Sequence, residues 1–386
     1  MKMVVLGAGR QGCAAAFDLA RSPLVEDVTL VDLGLDELPA FLRGDAKVRL
    51  LRSDVNDLLR ARELIAPATV VCSALPYHMN FRVAELALEC GTHYCDLGGN
   101  TEIVKQQRGL DAAAVEAGVS LVPDCGLAPG LVNILAASGI RSLDSVDSVR
   151  IRVGGLPQKP LPPLHYGIVY SLEGLLDYYT TNSVVLRNGV PQWVDALSGL
   201  ETCKFPAPVG ELEAFHTAGG ISSLAERYAG QVREMDYKTL RFPGHAAIMK
   251  AVRDLGLLGL DPVRVGAHSV VPREAFAAIV TPHLSGVSLD FVVARVTVAG
   301  LLDGKPHALE WEMIDYCDEQ NGITAMMRTT GYSLAITALL QATGAIPAGV
   351  RTPDEGVPVD AFLGELAARG IEVGAKAVEL PVHSQG

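Results

Sequence analysis

The sequence lacks the features that mark secreted, membrane-spanning and metal-binding proteins. No apolar run reaches the roughly 18–20 uncharged residues that a membrane-spanning helix needs. The opening residues, MKMVVLGAGRQG, enter a strand pattern directly, without the basic and apolar segments of a secretory signal, which predicts a cytoplasmic protein. The seven cysteines form no C-x-x-C pair and the nine histidines no H-x-x-H pattern, so the sequence predicts reduced thiols and no metal site.

Positive charge is also in short supply. The chain has 32 Lys and Arg residues against 44 Asp and Glu residues, a formal net charge of -12 and a pI near 5.2. This balance disfavours nucleic acid as a partner, because phosphates need a basic surface, and it favours solubility. The length of 386 residues exceeds that of the usual single core, so two domains are expected.

The first third of the chain contains an alternation of strands and helices. Apolar strand patterns recur at residues 3–9, 27–33, 48–54, 69–75, 92–98 and 119–125, and helical patterns fill the intervals between them. This spacing predicts an α/β domain with a Rossmann-type, doubly wound parallel sheet, which we assign to residues 1–125.

After residue 125 the sequence pattern changes to strands of alternating polarity joined by tight turns. SVVLRNGVPQWV (183–194) surrounds Asn188-Gly189, a type I′ hairpin signal, and a longer hairpin turns at Asp303-Gly304. These patterns predict a second, α+β domain with a mixed sheet over residues 126–324. Residues 325–386 have a helical pattern and are expected to return to the first domain.

A glycine-rich motif, GAGRQG, lies between the first strand and the first helix. It places Gly7, Gly9 and Gly12 in the pattern G-x-G-x-x-G. The first glycine allows a tight turn, the second lets the backbone approach a pyrophosphate, and the third lets the helix pack closely on the strand. The helix N-terminus then faces the phosphates. Arg10 and Gln11, inside the motif, are assigned to the same cofactor site.

A carboxylate at the end of the second strand completes this pattern. Asp32 follows Gly12 by twenty residues, the interval typical of an acid that binds the adenosine ribose. It would repel a 2′-phosphate, and DLGLDEL (32–38) adds further acids, so NAD is predicted over NADP. In CSALPYHMN (72–80), Ala74, Leu75 and Pro76 are predicted to line the cofactor, and a plain strand-to-helix loop is the alternative.

Several motifs together resemble the saccharopine dehydrogenase family. They are VVLGAGRQG, CSALPYHMN, HYCDLGGNTE, PDCGLAPG and DYKTLRFPGH, and they cover nearly the whole chain. FHTAGGISSL (215–224) and YKTLRFPGH most resemble the lysine 6-dehydrogenase branch. Saccharopine reductases follow TLR with an aromatic residue, Lys and Gly, whereas this chain has Phe242-Pro243-Gly244.

The resemblance implies a fold, a reaction and an assembly. The implied fold is a Rossmann domain completed by C-terminal helices, beside an α/β substrate domain that also mediates formation of a homodimer or higher homo-oligomer. The implied reaction is NAD-dependent oxidation of the ε-amino group of L-lysine to an imine, which water converts to ammonia and 2-aminoadipate 6-semialdehyde. Two alternatives stay open: a saccharopine dehydrogenase or reductase acting on a secondary amine, and a non-catalytic NAD-binding protein.

Oxidation of an amine also predicts the type of catalytic residue. Hydride leaves a C–N carbon only when nitrogen has a lone pair to share, so a substrate ammonium needs a base. Lys238 and His216 are the candidate bases, and Asp124, at a strand end where the domains should meet, is the candidate for holding the ammonium group. The ordinary alternatives are a solvated strand lysine, a hydrogen-bonded polar histidine and a turn-capping aspartate.

A second set of residues is predicted to bind the rest of the substrate. Arg241 offers a planar fork suited to an α-carboxylate, and His245 is a candidate second donor. Thr217 and Asp96 are further substrate-binding candidates. The alternatives are a structural ion pair for Arg241, a helix start for His245 and a cap on the GGN turn for Asp96.

The run DYKTLRFPGH (236–245) holds most of these groups, but its alternation separates them. On a regular strand Lys238 shares a face with Asp236, whereas Arg241 shares the other face with Tyr237. Both side chains therefore enter one pocket only if the strand bends near Leu240. We predict such a bend, helped by Pro243-Gly244.

Overall fold

The computed structural model of the protein describes residues 1–35, 38–286 and 289–378. The chain forms two compact units. The first comprises residues 1–142, 318–323 and 327–374, and the second comprises residues 143–317, 324–326 and those from 375. Among the described residues, no helix is long and apolar enough to cross a membrane.

The strands follow the chain in this order: β1 (Lys2–Leu6), β2 (Asp27–Asp32), β3 (Val48–Arg52), β4 (Val70–Ser73), β5 (His93–Asp96), β6 (Ser120–Val122), β7 (Ser145–Pro157), β8 (Ser183–Arg187), β9 (Val190–Val194), β10 (Glu201–Lys204), β11 (Glu211–His216), β12 (Val232–Arg241), β13 (Val263–Val265), β14 (His268–Val270), β15 (Asp290–Leu302), β16 (Lys305–Tyr316), β17 (Gly349–Val350) and β18 (Val373–Val378).

The α-helices are α1 (Arg10–Arg21), α2 (Leu58–Ile65), α3 (Asn80–Glu89), α4 (Thr101–Arg108), α5 (Asp111–Ala117), α6 (Leu131–Arg141), α7 (Leu172–Thr180), α8 (Leu224–Arg227), α9 (His245–Asp254), α10 (Pro272–Leu284), α11 (Ala325–Ala342), α12 (Pro353–Gly356) and α13 (Val359–Ala368). Two short 3-10 turns cover Ala40–Leu42 and Tyr77–Met79.

The first unit is built on a parallel sheet of seven strands in the order β3-β2-β1-β4-β5-β6-β17. Strands β1 and β4 are apolar along almost their whole length because helices cover both faces of such a sheet. The order from β3 to β6 is that of the Rossmann fold, in which successive strands are added first on one side of β1 and then, from β4 onward, on the other. The predicted α/β fold class is confirmed.

The second unit contains a mixed sheet of nine strands. Its main path is β10-β11-β12-β7-β15-β16-β18; off this path, β8 pairs with β12, and β9 pairs with β8. Strand β12 is an interior strand of this path and lies parallel to β7 and antiparallel to β11. The second domain with a mixed sheet, as predicted from the alternating pattern, is also confirmed.

The two hairpins form where their turn residues predict them. Asn188 and Gly189 have φ values of 51° and 76° and join β8 to β9, as a type I′ turn requires. Asp303 and Gly304, with φ values of 50° and 71°, join β15 to β16.

The first unit differs from the predicted first domain in its limits. Helix α6 belongs to it, so its first segment ends at residue 142 rather than 125. The assignment of residues 126–324 to substrate binding and dimerisation stays a prediction.

The end of β12 leads into α9 through a tight turn. Gly244 adopts a left-handed φ of 96°, and α9 begins at the next residue, His245. The ladder between β11 and β12 keeps its register to the last pair, Glu213 with Arg241, with no bulge. The C-terminal end of the strand and the N-terminal end of the helix are therefore held in one fixed arrangement.

Candidate active site

The glycine loop after β1 has the conformation that its three glycines predict. A Cβ atom on Gly7, whose φ is 97°, would lie 2.7 Å from the backbone oxygen of Ala74, and one on Gly12 would lie 1.9 Å from the oxygen of Gly7. A Cβ atom on Gly9 would meet no atom within 4 Å. Gly7 and Gly12 thus permit close packing of the chain on itself, whereas Gly9 leaves space beside the start of α1.

Asp32 lies across this loop. Its Oδ2 accepts a hydrogen bond from the Ala8 amide at 2.6 Å, and its Oδ1 accepts one from Gly34 at 2.9 Å. The carboxylate is therefore fixed beside the loop, and each oxygen keeps a lone pair for a ribose hydroxyl. Together with the open N-terminus of α1, these residues fit an adenine dinucleotide. Asp36 and Glu37, the further acids of DLGLDEL, lie outside the described residues.

The other predicted cofactor residues border the same loop. Ala74 donates its amide to the oxygen of Leu6 at 2.8 Å, directly after β4, and Leu75 and Pro76 follow it. Arg10 is exposed in the first turn of α1, and the Oε1 atom of Gln11 is buried without a hydrogen-bond partner among the described residues. Their contacts with a cofactor stay predictions.

Asp96 and Asp124 lie at the ends of neighbouring strands in the same unit. The Oδ1 atom of Asp96 accepts hydrogen bonds from the amides of Gly98 at 2.6 Å and Asp124 at 3.3 Å, and its Oδ2 accepts one from Gln107 at 2.7 Å. Burial raises the pKa of Asp96. Asp96 thus positions the backbone around Asp124, which favours the capping alternative over direct contact with a substrate.

Asp124 itself is buried and has a left-handed φ of 64°. This conformation is rare outside glycine and is often found at functional sites. Gly98 packs directly against it, because a Cβ atom there would lie 1.7 Å from the Asp124 Oδ1 atom. The role of Asp124 in holding an ammonium group stays a prediction.

In the second unit, Arg241 ends β12 and is 2% exposed. Its Nε donates to the hydroxyl of Tyr179 at 3.2 Å, its Nη1 donates to the Leu240 oxygen at 2.8 Å, and its Cζ lies 4.6 Å from the centre of the Tyr166 ring. No described carboxylate lies within ion-pair distance of it, so a buried positive charge and three N–H donors remain available. A buried charge needs compensation, which makes Arg241 a candidate receptor for an anion.

His245, at the start of α9, is fully used within the protein. Its Nδ1–H donates to the Leu164 oxygen at 2.8 Å, which leaves Nε2 to accept from the Tyr179 hydroxyl at 2.9 Å. Burial and, second, the charge of Arg241 lower the pKa of His245 to about 3. The neutral imidazole has no N–H left to donate to a substrate, so the structure gives it a different partner from the predicted one.

Lys238 lies on the opposite face of β12. Its ammonium group donates to the Gly199 oxygen at 2.6 Å and pairs with Glu201 at 2.8 Å. Its register partner on β7, Arg152, pairs with Glu201 at 2.5 Å and with Asp236 at 2.7 Å. These four residues, which we term the ion-pair network, neutralise one another.

His216, the other candidate base, is on the same face as Lys238. The two are register partners on β11 and β12, and the His216 Nδ1 atom lies 3.3 Å from the Tyr237 oxygen. Burial lowers the pKa of His216. Lys238 and Arg241 share no partner among the described residues, and the register between β11 and β12 has no bulge. The predicted bend near Leu240 stays a prediction.

Thr217 lies on the Arg241 side. Its hydroxyl forms a 2.7 Å hydrogen bond with that of Thr239, which shares a face with Arg241. The glycines that follow it are needed for packing, since a Cβ atom on Gly219 would lie 2.8 Å from the Tyr178 ring and one on Gly220 would lie 2.3 Å from the Tyr237 ring.

Sequence reasoning missed Tyr179, Tyr166 and Glu213. A signal for the tyrosines was present, because four of the ten tyrosines of the chain lie between residues 166 and 179. Glu213 gave no such signal. It is the register partner of Arg241, but its carboxylate accepts hydrogen bonds from the amides of Gly244 at 2.9 Å and Ala246 at 2.5 Å, at the start of α9.

The glycine loop, Asp32 and the strand order define a dinucleotide-binding protein of the Rossmann type. Residues 3–122 match the saccharopine dehydrogenase NADP binding domain, and residues 126–371 match the saccharopine dehydrogenase C-terminal domain. The chain belongs to the saccharopine dehydrogenase family. The predicted family is confirmed, and the lysine 6-dehydrogenase branch stays a prediction.

Individual relatives are distant. Saccharopine dehydrogenase (NADP(+), L-glutamate-forming) of Schizosaccharomyces pombe is 24% identical over 241 residues, which cover 60% of this chain and 53% of that protein. Mitochondrial alpha-aminoadipic semialdehyde synthase of Bos taurus is 25% identical over 209 residues, 51% of this chain and 22% of that protein. The chain spans about half the length, or less, of the curated relatives it matches.

Two solved structures share the fold. Apo saccharopine dehydrogenase (L-Glu forming) from Saccharomyces cerevisiae has a TM-score of 0.80 at 19% identity, covering 98% of this chain and 99% of that one. Homospermidine synthase from Legionella pneumophila in complex with NAD has a TM-score of 0.70 at 12% identity, covering 100% and 93%. At these identities the likeness concerns the fold alone.

Proposed function

We propose that the protein is a pyridine-nucleotide-dependent amino-acid dehydrogenase that oxidises the ε-amino group of L-lysine to 2-aminoadipate 6-semialdehyde. The observation that carries this proposal is the state of Arg241. It is a buried cation without a carboxylate partner among the described residues, and a substrate carboxylate would compensate its charge. The names of the relatives support an amino-acid substrate.

The number of such cations favours lysine over saccharopine. Saccharopine carries three carboxylates, whereas lysine carries one. Of the Lys and Arg side chains buried in the described residues, Arg152 and Lys238 are paired with acids, and Arg241 is not. One buried receptor matches one carboxylate. A saccharopine dehydrogenase remains the second candidate because the relatives carry that name.

The chemistry divides among residues that the chain supplies. The amides around Gly9 would hold the pyrophosphate and Asp32 the ribose, and the bound nicotinamide would supply the hydride acceptor. Arg241 would fix the α-carboxylate so that the substrate amine is placed reproducibly. Lys238 and His216 stay the candidates for the base, and the pairing of Lys238 with Glu201 is an argument against Lys238. Asp124 stays the candidate for the amine.

A screen for NADH formation tests the reaction. The protein is mixed with NAD or NADP and with L-lysine, L-lysine amide, cadaverine or saccharopine at alkaline pH. We expect NADH absorbance and ammonia with L-lysine. Turnover of saccharopine, but not of L-lysine, would establish the second candidate. Cofactor binding without turnover of any amine would identify a non-catalytic protein.

The choice of NAD over NADP depends on Asp32. The relatives do not decide it, since the matching domain and the fungal relatives are named for NADP and the homospermidine synthase structure contains NAD. We expect Asp32→Ala to lower the ratio of kcat/KM for NAD to that for NADP by about tenfold, which corresponds to about 1.4 kcal/mol. An unchanged ratio would remove Asp32 from the ribose site.

The expected location and assembly also belong to the proposal. We propose a cytoplasmic location, as the sequence predicts, and a homodimer or higher homo-oligomer, as the family resemblance implies. Sedimentation equilibrium of the purified protein tests the assembly, and a monomer at micromolar concentration would contradict it.

A further inference from the structure

A chain of hydrogen bonds leads from the backbone of the second unit to Arg241. The Leu164 oxygen accepts from His245, whose Nε2 atom lies 2.9 Å from the Tyr179 hydroxyl, which in turn lies 3.2 Å from the Arg241 Nε. The exposed fractions of Tyr179, His245 and Arg241 are 0%, 1% and 2%. Such a chain has little freedom to rearrange.

The Leu164 oxygen fixes the direction of each hydrogen bond in this chain. A backbone oxygen can only accept, so the proton of neutral His245 is on Nδ1 and its Nε2 must accept. The Tyr179 proton therefore points to His245, and the lone pairs of the hydroxyl remain for the Arg241 Nε–H. The opposite tautomer would turn the Tyr179 proton toward the guanidinium and break this contact.

Ring packing fixes the same residues sterically. The Phe215 ring stacks on His245 at 6.4 Å with an interplanar angle of 9°, and it meets Tyr179 edge-on at 6.0 Å. The Tyr166 ring lies edge-on to His245 at 5.5 Å and also beneath the Arg241 guanidinium. One aromatic cluster thus holds both the hydrogen-bond chain and the cation.

The hydrogen bonds of Glu213 explain why this acid does not pair with Arg241. Glu213 is its register partner across the strands, where an ion pair would be expected. The N-terminus of α9 instead holds this carboxylate through the amides of Gly244 and Ala246. The helix end satisfies the acid, since unpaired amides and the helix dipole favour a negative charge there.

We propose that Tyr179 is a positioning residue for Arg241, and that His245, through its fixed tautomer, sets the orientation of the Tyr179 hydroxyl. The inference rests on the proposed function, because it takes Arg241 as the receptor for the substrate carboxylate. Tyr179 and His245 do not contact the carboxylate. They hold the guanidinium in the orientation that binds it, which reduces the loss of side-chain freedom on binding.

The test compares L-lysine with L-lysine amide, which lacks the carboxylate charge. We expect Tyr179→Phe to raise KM for L-lysine about tenfold, to change kcat less than twofold, and to leave KM for NAD and for L-lysine amide unchanged. His245→Gln places an amide oxygen near the position of Nε2 and is expected to stay within about twofold of the parent, whereas His245→Leu should behave as Tyr179→Phe. Tyr316→Phe, at the exposed end of β16, is the control.

A double-mutant cycle separates positioning from general damage. In the Arg241→Ala background, Tyr179→Phe should have no further effect on KM for L-lysine, because the group it positions is gone. An equal effect in both backgrounds, or an equal loss with L-lysine amide, would overturn the inference. Melting temperatures show whether each variant folds. If Tyr179→Phe does not fold, the two His245 variants test the same chain of hydrogen bonds.

The two proposals fail in different ways. If Arg241→Ala leaves KM for L-lysine unchanged, the proposed carboxylate receptor is wrong. If Arg241→Ala raises KM but neither Tyr179→Phe nor His245→Leu does so, the receptor stands and the positioning role is wrong. Calorimetric titration of L-lysine into the complex with NADH gives the same comparison without turnover.

Discussion

The two faces of strand β12 carry buried cations in opposite electrostatic states. On one face, Lys238 and Arg152 are paired with Glu201 and Asp236 in the ion-pair network. On the other, Arg241 is surrounded by tyrosine and histidine and has no carboxylate partner among the described residues. Lys238 and Arg241 are three residues apart on this strand, with Arg152 beside Lys238 on β7, yet of these three cations Arg241 alone lacks an acidic partner among the described residues.

This difference teaches how to separate structural from functional charges in a buried site. Burial of a charge is costly unless a partner compensates it, so a cation that already has its partner contributes to the fold. A cation without one marks the place where an external anion supplies the compensation. Counting charged residues in DYKTLRFPGH does not reveal this distinction, whereas tracing their partners does.

The largest expected effect concerns the paired face. Arg152→Met leaves Asp236 buried without its nearer cation, and we expect a loss of about 3–5 kcal/mol in the free energy of unfolding. Urea denaturation measures this loss. KM for L-lysine should not change in the folded fraction. Arg233→Ala, which removes an exposed pair with Asp147, is the control and should leave stability unaltered.

The next effect concerns the unpaired face. Arg241→Ala removes charge-assisted hydrogen bonds to the carboxylate, and we expect KM for L-lysine to rise about 100-fold, or about 3 kcal/mol, with KM for NAD unchanged. Steady-state kinetics measure both constants. Stability should fall less than in Arg152→Met, because no described buried acid loses its partner. A larger loss of stability than in Arg152→Met would abolish the contrast between the faces.

The third effect is a dependence of stability on pH. Burial and, second, the Arg241 charge lower the pKa of His245 from its ordinary value of 6.5 to about 3. Between these values the unfolded state binds the proton and the folded state does not. The contribution of His245 is therefore complete above pH 6.5, and the free energy of unfolding falls by about 1.4 kcal/mol per unit as the pH decreases toward 3.

His245→Gln is the matched variant for this measurement. The free energy of unfolding of the parent, relative to that of His245→Gln, should fall by about 1.4 kcal/mol per unit as the pH decreases from 6.5 toward 3. The contributions of His216 and of the buried acids are common to both proteins and cancel. A proton NMR titration of His245 that shows an ordinary pKa would contradict the buried, neutral imidazole.

The smallest effect also decides the role of Lys238. Its partner Glu201 is 38% exposed and can be solvated again, so Lys238→Met should lower the free energy of unfolding by only about 1 kcal/mol. We expect kcat to change less than twofold, as measured with saturating L-lysine and NAD. A 100-fold loss of kcat would restore Lys238 as the general base and show that a charge in the network takes part in the chemistry.

Much of the fold follows from local patterns in the sequence. Apolar runs and the placement of Gly7, Gly9 and Gly12 predict the parallel sheet, and Asn188-Gly189 predicts its hairpin because both residues tolerate positive φ. The helical pattern between the strand patterns at 92–98 and 119–125 divides into two helices, α4 and α5, around Gly109. Glycine has a low helix propensity, which accounts for this division.

The site could be predicted only in part, because its partners are distant in sequence. The choice of Arg241 and the alternation of β12 came from ten consecutive residues. Tyr179 is 62 residues from Arg241, and Glu201 is 37 residues from Lys238, so neither contact has a local signal. The predicted bend near Leu240 assumed that both cations share one ligand, whereas Lys238 and Arg241 have different partners.

The turn between β12 and α9 has a consequence for how this protein can vary. Phe242, Pro243 and Gly244 separate the strand end from the first residue of the helix. If α9 keeps its place, one additional residue there shifts its sequence by one position, which moves each side chain by about 100° around the helix axis and carries His245 away from Tyr179. We therefore expect this segment to accept substitutions more readily than insertions or deletions. A related chain with an insertion or deletion here is not expected to share the proposed activity.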